Sequence, residues 1–134
     1  MGWFGYGAMD GDDGMDLRDT LFYMLGIEYV DGQPIHDENP YNYTDTEITN
    51  ILEKNQDKIY DWLRDYDWNK RLNPGFIQTV YIQATAQVLL DYGVKISERG
   101  KKSIVPFIES DNWALENEER AEEMQKLLKA VKEN

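Results

Sequence analysis

Apolar side chains recur at steps of three and four residues along most of the chain, which is the period of an amphipathic helix. Short polar residues precede these runs and glycines follow them, as at helix caps. The pattern therefore predicts an all-α fold of about five helices in a compact bundle-like or orthogonal arrangement. The helices are predicted at about 12–25, 44–67, 74–92, 98–109 and 111–132.

Several of these helices have specific start and stop signals. Thr44-Asp45-Thr46-Glu47 matches a capping box, and Asn73-Pro74 suits an N-cap followed by proline in the first turn. The helix that Pro74 begins is apolar on much of its circumference, which predicts a central position and an end at Gly93. Ser97 is expected to cap a shorter helix that Pro106 ends or kinks.

Two segments depart from the helical pattern. Residues 1–14 alternate glycines with aromatic residues and methionine, which predicts an ordered loop held to the core by its rings. Ile27-Glu28-Tyr29-Val30 alternates and is followed by Asp31-Gly32, which indicates a small β-hairpin near 27–35.

Length and composition favour one domain, residues 1–134, with a sizeable core. The chain is 41% hydrophobic and contains no cysteine, so disulfides, thiolate nucleophiles and cysteine-based metal sites are excluded. The sequence shows neither a secretory signal pattern nor an apolar run long enough to cross a bilayer. We therefore expect a location in the cytoplasm of a bacterial or infected host cell, with no membrane partner.

The formal charge of −12 is uneven along the chain. Residues 1–67 contain 16 acidic and four basic residues, whereas residues 68–134 contain ten of each. A field of this sign repels nucleic acid and steers the protein toward cationic protein surfaces. The charge thus predicts that the partner is a basic surface of a host or cognate protein and that the chain does not bind nucleic acid directly. The alternative is that the acidic residues only keep the protein soluble.

Four acids follow one another at i+4 steps, so they are expected on one flank of the second helix. They form the acidic row, which is the predicted partner-binding site: Glu53, Asp57, Asp61 and Asp65. Their spacing resembles that of phosphates along a nucleic-acid strand, which allows mimicry of that backbone. The alternative is a solvated helix face, because three bases are interleaved with the row: Lys54, Lys58 and Arg64.

The remaining candidate chemistry is sparse. His36 is the only histidine and lies in a polar loop. A zinc site built on several histidines is therefore excluded, and a serine nucleophile would have to use this one loop residue as its base. A calcium site near the first helix lacks the EF-hand spacing, which leaves an irregular carboxylate site or simple helix capping. The acids concerned are Asp10, Asp12, Asp13 and Asp16. We therefore predict no catalytic residue and no cofactor.

A cluster of bases follows the central helix: Lys95, Arg99, Lys101 and Lys102. Four bases beside such an acidic half form a weak nucleic-acid footprint. An internal contact between this cluster and the acidic half is the favoured interpretation.

The opening residues, with Gly5, Gly7, Asp12 and Asp16 at matching positions, resemble a family motif over residues 1–16. The motif reads M-G-x-W-G-x-G-x-F-x-N-D-x-A-x-D and belongs to an uncharacterised family of small bacterial and phage proteins. Phe4, Met9, Gly11 and Gly14 depart from it. The resemblance implies a bacterial or phage setting and brings no catalytic residue.

These features lead to one principal hypothesis and two alternatives. The chain is expected to be an acidic binding protein that inhibits or sequesters a partner, such as a phage protein acting against a host nucleic-acid enzyme or defence complex. The first alternative is a bacterial immunity or antitoxin-like protein that binds a basic toxin. The second is a small hydrolase that uses metal-bound carboxylates near residues 10–16.

Overall fold

The computed structural model describes residue 7 and residues 12–30, 39–70 and 73–134. Those residues form seven α-helices, six of which have ten or more residues, and one 3₁₀ turn. The helices are α1 (Asp12–Met24), α2 (Asp45–Lys54), α3 (Gln56–Asp65), α4 (Pro74–Asp91), α5 (Glu98–Glu109), α6 (Asn112–Glu116) and α7 (Glu118–Glu133), with the 3₁₀ turn at Trp68–Lys70. The predicted all-α class is confirmed.

Helix α4 is the centre of the molecule. It is buried on nearly every side between Ile77 and Leu89, and it packs against α1, α3, α5, α7 and the 3₁₀ turn. This position was predicted from its apolar circumference. Among the described helices, none combines the length and the apolar run that a membrane crossing requires.

Helices α1 and α4 end in the same way. Gly26 and Gly93 adopt φ values of 78° and 68°, in the left-handed region that favours glycine. The next residue then donates a hydrogen bond back into the last turn, from Ile27 N–H to the Phe22 carbonyl (2.8 Å) and from Val94 N–H to the Leu89 carbonyl (2.9 Å). The predicted glycine stops are therefore confirmed.

The helix starts agree with the sequence in part. The Thr44 and Ser97 side chains accept hydrogen bonds from Glu47 N–H and Gly100 N–H, as predicted. Asn73 precedes α4, but its backbone is left-handed and its side chain makes no capping hydrogen bond. Pro106 lies inside α5, which continues to Glu109.

The predicted single helix over 44–67 is wrong, because the chain breaks at Asn55 into α2 and α3. Asn55 has φ −106° and ψ 16°, and its amide donates to the Leu52 and Ile51 carbonyls at the end of α2. Its side chain also donates to the Ile51 carbonyl (2.7 Å). These hydrogen bonds satisfy the carbonyls that a helix end leaves open.

The predicted last helix is also divided. Asp111 caps α6 by accepting from Ala114 N–H (2.7 Å), and Asn117 then caps α7 by accepting from Arg120 N–H (2.9 Å). Asn117 is extended, with φ −141° and ψ 114°, so the chain turns between the two helices.

The β-hairpin predicted near 27–35 is wrong, since none of the described residues lies in a strand. Tyr29 instead pairs with Tyr41 in an isolated antiparallel bridge. Val30 N–H donates to the Pro40 carbonyl (2.9 Å) beside this bridge. The predicted Asp31-Gly32 turn, and most of the loop predicted over 1–14, lie outside the described residues.

Candidate functional site

The acidic row spans two helices. Asp57, Asp61 and Asp65 lie on one flank of α3, where four-residue steps advance by about 6 Å along the axis. Glu53 belongs to α2, on the other side of the break at Asn55. The structure thus brings three members of the row together on one helix and separates the fourth.

Two arginines are paired with the row on α3. Arg99 of α5 reaches Asp57 with Nη1 (3.2 Å) and Asp61 with Nη2. Arg64 holds Asp65 through Nε (2.8 Å) and lies 3.4 Å from Asp61 through Nη2. The hydrogen bond that Arg64 donates lowers the pKa of Asp65, and the hydrogen bond that Arg99 donates to Asp61 raises the pKa of Arg99.

These ion pairs remain open to water. The side chains of Asp57 and Asp65 are 81% and 64% exposed, and that of Arg64 is 65% exposed. Exposed pairs of this kind contribute about 0–1 kcal/mol to stability, so these contacts add little to the stability of the fold. The two arginines that contact the row offset two of its four formal negative charges.

Glu53 and the neighbouring Gln56 bind the backbone of the segment between α4 and α5. The Glu53 carboxylate accepts from Lys95 N–H (3.0 Å). Beside it, Gln56 donates to the Lys95 carbonyl (2.8 Å) and accepts from Ser97 N–H (3.0 Å) and the Tyr60 hydroxyl (2.7 Å). Burial raises the pKa of Tyr60 to about 12, so its hydroxyl remains a donor at neutral pH.

The predicted contact between the basic cluster and the acidic half is confirmed for the Arg99 side chain. Arg99 contacts the row through its side chain, and Lys95 contacts it through its backbone. Lys101 donates from Nζ to the Asn134 carbonyl (2.9 Å), away from the row.

An open groove adjoins the row between α3, α4 and α5. It encloses about 390 Å³ and has Arg64, Arg99 and Lys102 among its lining residues. The apolar part of its lining consists of Leu63, Ile82, Ile104, Pro106 and Phe107. Because Arg64 and Arg99 belong to both features, the carboxylates and the apolar groove form one continuous surface.

A buried polar network that the sequence did not predict joins α4 to the C-terminal helices. Arg120, 1% exposed, donates from Nη2 to Gln83 Oε1 and to Asp111 Oδ2 (3.0 Å). Gln83 donates to the same Asp111 oxygen (2.8 Å) and to the Phe107 carbonyl (3.0 Å). Burial alone would raise the pKa of Asp111, but the hydrogen bonds from Arg120, Gln83 and Ala114 N–H lower it.

The remaining sequence candidates do not assemble into a site within the described residues. Asp16 is exposed on α1, whereas Asp10, the side chains of Asp12 and Asp13, and His36 lie outside what the structure describes. In the described part of the chain, no group of three or more carboxylate or histidine side chains is placed to hold a metal ion.

Comparison with known proteins gave no match. None of the family models, curated protein sequences or solved structures compared with the chain is significantly similar to it.

Proposed function

We propose that the protein is an acidic binding module that inhibits or sequesters a protein partner with a basic surface. The observation that carries this proposal is the continuous surface formed by the acidic row and the adjoining groove. Its carboxylates contact Arg64 and Arg99 yet stay largely exposed.

The two parts of this surface support different aspects of binding. Exposed carboxylates on a protein of charge −12 speed encounter with a cationic surface and select against anionic ones. Affinity in protein interfaces comes mainly from a few side chains that fill desolvated pockets. The apolar floor of the groove, with Leu63 and Phe107, offers such a pocket next to the charges.

A host nucleic-acid enzyme or defence complex is the partner class that best fits this chemistry, because nucleic-acid-binding surfaces are basic. We propose that α3 and the helices beside it inhibit the partner by binding to its basic surface. Mimicry of a nucleic-acid backbone is the more specific version of the same proposal. It is limited to three carboxylates on α3, because Glu53 lies on a separate helix.

The test compares two variants with equal changes in charge. D57N/D61N removes two carboxylates of the row, whereas E122Q/E133Q removes two exposed carboxylates from α7. Wild-type protein and both variants are immobilised and exposed to bacterial lysate at low and at about 0.5 M salt, where the Debye length falls to about 4 Å. We expect partners captured at low salt by the wild type and by E122Q/E133Q, but not by D57N/D61N.

Equal capture by all three proteins would contradict the proposal, since the row would then be irrelevant to binding. Circular dichroism of the variants shows whether they fold, and we expect little change because the lost ion pairs are exposed. For a captured nucleic-acid enzyme, competition by duplex DNA tests mimicry. Simultaneous binding of DNA and this protein would exclude it.

A further inference from the structure

A second concave surface lies between α1 and the residues that follow it, and it shares no residue with the acidic row. This pocket encloses about 390 Å³. We call it the tyrosine pocket. Four aromatic residues and two acids line it: Phe22, Tyr23, Tyr29, Tyr41, Asp19 and Glu28.

The aromatic wall of the tyrosine pocket is both exposed and supported. Tyr23 is 76% exposed and Tyr29 is 50% exposed. The centroids of the Tyr29 and Tyr41 rings lie 5.0 Å apart with an angle of 33° between the ring planes. The centroid of the buried Phe22 ring also lies 5.0 Å from that of Tyr41, with an angle of 75°. The core therefore positions Tyr41, and Tyr41 supports the Tyr29 ring, before any ligand arrives.

The charge of the tyrosine pocket is negative. Asp19 and Glu28 are exposed, and Asp19 accepts a hydrogen bond from the Tyr29 hydroxyl (3.4 Å). Burial, followed by the hydrogen bond with Tyr29, raises the pKa of Tyr41 well above its usual range, so the phenol is neutral. Among the described residues that line the pocket there is no Lys, Arg or His, although Arg18 is close enough to act electrostatically on Tyr41.

Exposed aromatic rings beside carboxylates favour a cation with an extended, weakly hydrated surface. The face of an aromatic ring attracts cations, and the planar guanidinium group both stacks on rings and donates to two carboxylates at once. An ammonium group is more strongly hydrated and lacks the planar fork. A protein of charge −12 also raises the local concentration of any cation.

We propose that the tyrosine pocket binds the guanidinium group of an arginine side chain on a basic polypeptide, with Tyr23 and Tyr29 against the planar cation and Asp19 and Glu28 as acceptors. This inference rests on the proposed function in one respect, which is that the basic protein partner supplies the arginine. Binding in the pocket itself does not require the acidic row.

The test uses the full chain and a peptide with one charged side chain. Acetyl-Gly-Arg-Gly-amide is titrated into the protein while tyrosine ring resonances are followed by NMR. The matched probe contains citrulline, which has the shape of arginine but no charge. We expect the arginine peptide to shift the Tyr23 and Tyr29 resonances saturably, and the citrulline peptide to leave them unchanged.

Variants then locate the binding. Y23A and E28Q should each weaken binding about threefold or more, as expected for the loss of one exposed cation–π contact or one charged acceptor. Both residues are exposed, so the variants should fold. E122Q carries the same charge change as E28Q on α7 and should bind like the wild type.

Three outcomes would overturn the inference: no saturable shift with the arginine peptide, equal shifts with the citrulline peptide, or equally tight binding of acetyl-Gly-Lys-Gly-amide. D57N/D61N separates this site from the acidic row. Retained peptide binding by that variant supports an independent pocket, whereas loss of binding would place the arginine on the row and contradict the assignment.

Discussion

Arg120 is a fully buried cation whose charge is balanced within the molecule. Its guanidinium contacts the Asp111 carboxylate and the Gln83 amide, and it lies 4.7 Å from the centre of the Trp113 ring. These contacts connect α4, α6 and α7 at one point. Burying an ion pair is expensive in itself, so its removal is costly mainly when one partner is left behind.

We therefore expect R120M to lower the free energy of unfolding by about 3–5 kcal/mol, because it leaves the Asp111 carboxylate buried without its cation. The matched control is K126M, which removes an exposed ion pair with Glu123 on the same helix. That change should cost less than about 1 kcal/mol. Urea denaturation measures both, and equal losses would show that Arg120 is not specially coupled to Asp111.

At the scale of elements, α3 and α5 approach each other closely at Gly100. A Cβ atom added there would lie 2.6 Å from Tyr60 Cζ and 2.8 Å from Ile96 Cγ2. Tyr60 is buried and its hydroxyl is bound to Gln56, so the ring has little room to move. This contact brings Arg99 of α5 within reach of Asp57 and Asp61.

G100A should therefore destabilise the fold by about 1–3 kcal/mol, the usual cost of overpacking. G75A is the matched control, since Gly75 lies in the first turn of α4 and nothing lies within 4 Å of an added Cβ. There, the better helix propensity of alanine should stabilise the protein by up to about 1 kcal/mol. Thermal unfolding distinguishes the two, and a G100A protein as stable as G75A would disprove the close approach.

The elements that sequence patterns predicted well are those fixed by local chemistry. The Thr44 and Ser97 caps and the Gly26 and Gly93 stops act within a few residues, so their sequences indicate them directly. The break at Asn55 was missed because apolar residues keep a helical period on both sides of it. Beside the break, Gln56 binds the Lys95 carbonyl, a tertiary contact that a local pattern does not show.

In the candidate site, the residues related by local spacing were predictable and the contacts between residues distant in sequence were not. Four-residue spacing correctly placed Asp57, Asp61 and Asp65 on one flank of a helix. The charge of the basic cluster predicted a contact with the acidic half, but it could not identify Asp61, 38 residues before Arg99, as the acid that Arg99 binds. The burial of Arg120 was missed for the same reason, since its partner Gln83 lies 37 residues away and arginine is usually exposed.

At the scale of the whole molecule, the excess negative charge lies within residues 1–67. Like charges held close together favour expansion, so the folded state carries a repulsive energy that the unfolded chain partly relieves. The ion pairs of Arg64 and Arg99 offset only a small part of that energy, because they are exposed. Screening by salt should therefore weaken repulsion more than it weakens these attractions.

We expect the midpoint of thermal unfolding to rise by several degrees between about 0.02 and 0.3 M sodium chloride, as a gain near 1 kcal/mol would produce. D16N/E28Q should flatten this salt dependence, because it removes two exposed charges from the acidic half. E122Q/E133Q changes the net charge equally within the balanced half, so its salt dependence should stay closer to that of the wild type. A midpoint that falls with salt in the wild type would mean that attractive pairs outweigh the repulsion among the acids of the first half.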